Sequence, residues 1–222
     1  MRVNAYIDGF NLFYGLKSYE NTGANYRWLN LLRLCQHLVP QHAVNQVRYF
    51  TARVDQRHDP FSPARQDAYL RALASIPEIV IYLGQFLSGP VRMPVAHPTF
   101  GMPQTVEVMK TEEKGSDVNI ATYLLLDCFR NEFDLAILIT NDSDLIEPIR
   151  IVRQEFGRQL GVFNPQERYS NALKRAASFY TKIHEEQIRM SLFPVTVIDS
   201  RGVEITCPRE WRGTDGPAPQ LS

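Results

Sequence analysis

From Phe133 to Thr140 the chain is apolar, but for Asp134 near its start, over the length of one β-strand, and Asn141-Asp142-Ser143-Asp144 follows at once. Such a run belongs to a strand covered on both faces, the central strand of a parallel sheet flanked by helices. The other segments agree. Arg2 to Ile7 reads as a second buried strand ending in Asp8-Gly9. Phe10 to Ser18 carries apolar residues at helical spacing, Asn21 to Arg27 is loop-like, and Trp28 to Leu38 is a second helix. Gln46 to Val54 is strand-like, and Ser62-Pro63 opens a helix to Ser75 with proline at its first position. Glu78 to Leu83 is a strand. Gly84 to Pro103 holds four prolines and reads as an irregular excursion or a hairpin, with Val106 to Thr111 returning as a strand. Helices follow from Ser116 to Arg130 and from Asp144 to Phe156, the second closed by Gly157 in the left-handed position. Gln159 to Phe163 and Ser178 to Ile183 are the last strands, with a short helix, Ser170 to Ala177, between them. This alternation predicts an α/β fold with a mostly parallel sheet.

The length, 222 residues, suits one domain with a small appendage. We place the domain at residues 1–185 and a C-terminal extension at 186–222. The extension holds a short β-hairpin, Val195–Ile198 with Val203–Thr206, and then a frayed tail from Gly213 to Ser222. With 44% hydrophobic and 22% charged residues the composition is that of a protein with a core, not of a disordered chain. No stretch reaches the ~18 apolar residues of a membrane span, so no membrane partner is expected. The N-terminus is too short and too soon acidic for a secretory signal. Cys35, Cys128 and Cys207 are too far apart for a zinc knuckle and odd in number, which makes a reducing, cytoplasmic setting the default.

Carboxylates stand at the ends of the expected elements. Asp8 follows the first strand, Asp117 lies in the first turn of the long helix, and Asp142 and Asp144 follow the apolar strand. In an open parallel sheet, sites form beyond the carboxyl ends of the strands. A hard cation such as Mg²⁺ takes a few carboxylates and keeps water and substrate phosphate as its remaining ligands. Each Asp also has a plainer reading as a helix cap, where it meets unpaired N–H groups. Pro148 bears on that reading. With Asp144 as the cap, Pro148 falls within the first four helical positions and removes no hydrogen bond; with Asp142 as the cap it does not. The cap reading therefore consumes Asp144, paired with Glu147, and leaves Asp142 projecting. Asn11 stands near the same edge, as a helix-start residue or as an amide that orients a metal-bound water or a phosphate. Lys114 and Ser116 flank Asp117, either meeting phosphate or lying in a solvated loop.

These segments resemble the NYN domain family, a branch of the PIN-like nucleases. Ile7-Asp8-Gly9-Phe10-Asn11-Leu12 looks like its opening motif. Glu113-Lys114-Gly115-Ser116-Asp117-Val118 and Thr140-Asn141-Asp142-Ser143-Asp144-Leu145 resemble its two later acidic segments, in the family's order. The similarity continues through Gly161-Val162-Phe163 and spans about Arg2 to Ile183. Many members have glycine where this chain has Asn141 and Ser143. The resemblance implies a PIN-like three-layer α/β/α fold with a short C-terminal hairpin and tail. It implies Mg²⁺ or Mn²⁺ held by Asp8, Asp117 and Asp142, with Asp144 and Asn11 as further catalytic residues. It also implies hydrolysis of phosphodiester bonds, generally in RNA, single-stranded or structured. Lys114, Ser116, Arg150 and Arg153, or Arg48, Arg53 and Arg57, are candidates to follow the nucleic-acid backbone.

The net charge is zero, which alone argues against a strongly basic nucleic-acid binder. Resolved along the chain, Glu107 to Glu147 has ten acids against three bases, while the windows 27–71 and 150–189 each carry a surplus of four bases. Acids for cations and arginines for phosphates fit a metal-dependent nuclease. Rival readings are a non-catalytic PIN-like RNA-binding or regulatory module and a toprim-type nuclease. The latter takes Glu after its first strand, where this chain has Asp8. A haloacid dehalogenase-type phosphatase needs a second Asp where Phe10 stands. The sequence is compatible with a homodimer but does not decide oligomeric state.

Overall fold

The computed structural model describes residues 1–56, 59–99 and 101–212. Seven strands form one sheet in the order β4-β3-β2-β1-β5-β6-β7. They are β1 Arg2–Asp8, β2 Ala43–Ala52, β3 Ile79–Pro94, β4 Thr105–Lys114, β5 Leu135–Ile139, β6 Gln159–Asn164 and β7 Phe179–Lys182. Every neighbouring pair is parallel except β3 with β4. The helices are α1 Gly9–Lys17, α2 Leu31–Leu38, α3 Ser62–Ala74, α4 Ser116–Phe129, α5 Ile146–Gln154, α6 Asn171–Ala176 and α7 Glu185–Met190.

The apolar run before Asn141 is β5, buried at all five positions. Its alternate residues feed two separate cores. Leu135, Ile137 and Ile139 join Val3, Ala5 and Ile7 of β1 under α1, α2 and α3. Ala136 and Leu138 face the other way, with Tyr6, beneath Ile120 and Leu124 of α4 and Ile149 and Val152 of α5. Period-two strands between two helical layers give the three-layer α/β/α arrangement.

The stretch after Gly84 resolves as the hairpin rather than as an irregular excursion. β3 pairs with β2 only as far as Gly84 and then runs on against β4, from Gln85↔Lys114 to Pro94↔Thr105. Among the described residues no strand pairs with its other edge there, and proline is tolerated on such an edge. The second predicted helix starts later than expected, at Leu31, because the Asn30 side chain accepts from the Arg33 N–H and sets the cap. The α7 helix went unread in the sequence.

Past residue 185 the chain stays on the same core. Leu192, Phe193, Ile205 and Cys207 are buried with the α1–α3 layer, and Trp28 donates its indole N–H to the Pro194 carbonyl at 2.8 Å. A two-stranded antiparallel hairpin, β8 Thr196–Ile198 with β9 Glu204–Thr206, forms where the sequence places one. The expected frayed tail, Gly213–Ser222, and Arg57 lie outside the described residues. Among the described residues no helix is long and apolar enough to cross a membrane.

Candidate metal centre

The sheet order changes direction at β1, whose neighbours are β2 on one side and β5 on the other. Beyond the carboxyl ends of β1 and β5 lies the crevice that such a switch point leaves open. Asp8 ends β1, and Asp142 stands three residues past the end of β5. Asp117 reaches the same place from the first turn of α4. One carboxylate oxygen from each of the three lies within 4.8 Å of the others.

Local chemistry fixes each acid. Asp8 is buried at the N-terminus of α1, and its Oδ1 accepts from the backbone N–H groups of Phe10 and Asn11, both at 3.0 Å. Its Oδ2 accepts from the Asn11 side-chain amide and from the Thr140 hydroxyl at 3.0 Å. The helix can start there because Gly9 follows: a Cβ at that position would sit 2.6 Å from the Phe50 carbonyl oxygen of β2. Thr140 in turn accepts from the Asp142 N–H at 3.0 Å, so the two carboxylate segments share one hydroxyl.

Asp117 enters through a left-handed turn at Gly115, φ 108°, a conformation that suits glycine. The Glu113 carboxylate caps the start of α4, accepting from the Ser116 hydroxyl at 2.9 Å and from its N–H at 3.2 Å. Ser116 is buried by this bond and has Glu113, not solvent, for a partner.

Asp142 corrects the capping argument. It is Asp142, not Asp144, whose side chain caps, with Oδ1 accepting from the Asp144 N–H at 2.9 Å. The helix opens with a 3-10 turn, Ser143–Leu145, before α5 begins at Ile146. That turn moves Pro148 to the third position of α5, where its missing N–H costs nothing. Asp144 is exposed beside it.

The electrostatics are those of crowded like charges. Burial pushes the Asp8 carboxyl up, against the hydrogen bonds from Asn11 and Thr140, and the neighbouring Asp142 adds to the rise. Asp117 is pushed up to about 6, first by desolvation and then by Asp8, Asp142, Glu113 and Asp144. The charges that act on it most strongly are thus all negative. Three oxygen ligands crowded chiefly by other acids among the described residues match a hard divalent ion such as Mg²⁺ or Mn²⁺.

Asn11 ties the site to the strand beyond. Its Oδ1 accepts from the Asn141 N–H at 3.2 Å and from the Gln166 amide at 2.7 Å. Tyr180 donates its hydroxyl to Asn141 Oδ1 at 3.0 Å, and the Asn141 amide reaches the Arg168 carbonyl at 2.9 Å. Sequence reasoning passed over Thr140, Gln166 and Tyr180. Only Thr140, at the end of the apolar run, carried a signal there.

The basic candidates have partners of their own. Lys114 is exposed and pairs with Glu112 at 3.0 Å. Arg150 lies along the outside of α5, bound to Glu147 and to Gln154. Arg153 donates to the Ala176 carbonyl at the end of α6. Arg53 is exposed, 3.5 Å from Asp67. Arg48 is buried, with Nε 2.6 Å from Asp127 Oδ2, and the Tyr6 hydroxyl donates to the same carboxylate.

An α/β/α sandwich with an acidic centre at the β1/β5 edge defines a PIN-like protein. The chain belongs to the NYN domain family, whose model matches residues 2–185. It is 27% identical over 190 residues to 6-hydroxy-3-succinoylpyridine 3-monooxygenase HspA of Pseudomonas putida, a match that takes in 74% of this chain and 60% of the relative. A crystal structure of a Vibrio parahaemolyticus protein of unknown function superposes with a TM-score of 0.52 at 13% identity, covering 83% of this chain and 94% of that one. That likeness concerns the fold alone.

Proposed function

We propose that the chain is a divalent-metal-dependent nuclease that hydrolyses phosphodiester bonds, with RNA as its substrate and Mg²⁺ or Mn²⁺ as its cofactor. The observation that carries this reading is the convergence of Asp8, Asp117 and Asp142 within 4.8 Å at the sheet switch point. Membership of a PIN-like nuclease family supports it. A divalent cation held by these three carboxylates would supply an activated water and charge stabilisation at the phosphate.

The chain's own residues do the positioning. Four donors lock the Asp8 carboxylate in place, so that it presents one geometry to the cation. Asp142 commits Oδ1 to the Asp144 N–H and has Oδ2 for a ligand. Asn11, its amide used on Asp8 and on two neighbouring segments, acts as a positioning residue. Without a cation Asp117 takes up a proton near pH 6 and so relieves the repulsion.

The test is cleavage of end-labelled RNA and of the matching DNA, with Mn²⁺, with Mg²⁺, and with EDTA. The reading predicts cation-dependent cuts in RNA that EDTA and Asp142→Asn each abolish. Cuts indifferent to both contradict it. Cation binding without cuts would indicate the non-catalytic module.

One observation favours a second reading. A cavity of about 320 Å³, walled by aromatic side chains, begins at Gly9, next to Asp8. A small heteroaromatic compound, as in the name of the Pseudomonas relative, would then be the substrate. Incubation with such compounds and mass analysis of the products separates the two.

A further inference from the structure

That cavity lies between α1, α3, the carboxyl end of β2 and the middle of β3 at Phe86. Its volume falls at the small end of the roughly 300–1,000 Å³ typical of small-molecule sites, room for one ring and not for a strand. Aromatic rings make its walls: Phe10 meets Phe86 edge-on at 5.6 Å, Tyr49 meets Tyr69 at 6.5 Å, and Trp211 meets Tyr69 at 6.2 Å. Tyr14 stands exposed at the rim. A π-faced enclosure of this kind suits a flat ring.

The polar groups narrow the ligand further. Two lining residues, Arg27 and Trp211, each hold a buried N–H, Nε and Nε1, with no acceptor among the described residues, and Glu20, the ion-pair partner of Arg27, holds a buried Oε1 with no hydrogen-bond donor there. Buried donors are rarely left so, and a ligand that supplies acceptors relieves them. Yet neither lining arginine has an unanswered charge. Arg27 pairs with Glu20 at 2.5 Å, and Arg65 pairs with Asp59 and with Glu210. A site with unanswered donors, one unanswered acceptor beside them and balanced charge calls for a neutral group that accepts and can also donate.

We propose that this cavity is a binding subsite for one neutral heteroaromatic ring that bears a ring carbonyl, a lactam such as uracil or 2-pyridone. Such a ring belongs either to a nucleobase of a bound strand or to a free compound. Binding rests on the cavity alone; only its consequence for catalysis rests on the metal-centre reading.

The experiment is calorimetric titration of the full chain in EDTA with uridine monophosphate and, separately, with 2-pyridone. The proposal predicts one-to-one binding of at least one of them. Uridine monophosphate alone points to a strand as the source, and 2-pyridone alone to a free compound. Two variants locate the site: Ser62→Trp, which fills the cavity, and Tyr14→Ala, which removes an exposed wall. Each is expected to weaken binding about tenfold, the scale of a lost aromatic stack. Tyr14→Ala carries the test if melting curves show that Ser62→Trp does not fold. Heat from neither ligand, or binding that both folded variants leave unchanged, overturns the proposal. Metal-dependent RNA cleavage, assayed separately, can fail or succeed without touching this result.

Discussion

At the scale of single residues, the acidic centre is held by costs the fold accepts. Asp117 is the plainest case. Its folded carboxyl titrates near 6, above the unfolded value, so the native state binds more protons than the unfolded state between these two values. Stability of the metal-free protein therefore falls as pH rises through that window, and the penalty is fully present above it. Asp117→Asn is expected to raise the melting temperature at pH 7.5 and to leave it nearly unchanged at pH 4. Because the residue is exposed, screening holds the gain to about 1 kcal/mol or less. Thermal melts with EDTA at both pH values decide this; a variant less stable at pH 7.5 would contradict it. Asp127 shows the opposite arrangement. It is fully buried against Arg48 and Tyr6, an acid with an answering charge. Asp127→Ala should cost about 3–5 kcal/mol in denaturant unfolding, since it leaves the buried Arg48 guanidinium with only the half-exposed Glu132, 3.6 Å away, as a counter-charge. A loss below about 1 kcal/mol would show that Glu132 or water answers the charge instead. In the sequence Asp117 reads as a candidate metal-holding acid at a helix start, and Asp127 only as one acid of the negative window. Burial separates them, and burial is a property of the sheet.

At the scale of elements, patterns with a strong period were legible and paired partners were not. The buried runs of β1 and β5, the helix opened by Pro63, and the C-terminal hairpin all announce themselves by apolar spacing and turn residues. The β3–β4 arm was legible only as one of two readings, hairpin or irregular excursion, because its prolines mimic a loop. The start of α5 was misread for a related reason. A 3-10 turn changes the position count on which the Pro148 argument depended, and nothing local in the sequence signals it. The same division predicts dynamics. Backbone amides of β1 and β5, covered on both faces, should exchange with solvent slowest. Amides of the arm beyond Gly84, supported on one side only, should exchange well before them. Peptide-resolved hydrogen exchange reads this directly, and equal protection in the arm and in β5 would refute it.

At the scale of the whole molecule, the charge windows along the chain translate only in part into a charged surface. Of the acidic window, Asp117, Asp142, Asp144 and Glu113 act at the centre, while Asp127 and Asp134 answer Arg48 and Arg2. Among the basic candidates, Arg48 is spent inside the core and Arg153 on a helix end. The acidic centre itself was legible because strand ends in a parallel sheet share an edge whatever their separation in sequence. Asp8, Asp117 and Asp142 come together only if β1, α4 and β5 are placed as described, so one ion on all three tests fold and function at once. The direct measurement is a crystal of the full chain soaked in Mn²⁺, with anomalous scattering recorded at the manganese edge. The account predicts a peak among the carboxylates of Asp8, Asp117 and Asp142 that vanishes in Asp142→Asn. A saturating soak with no peak between them, or with manganese bound only elsewhere, would contradict it.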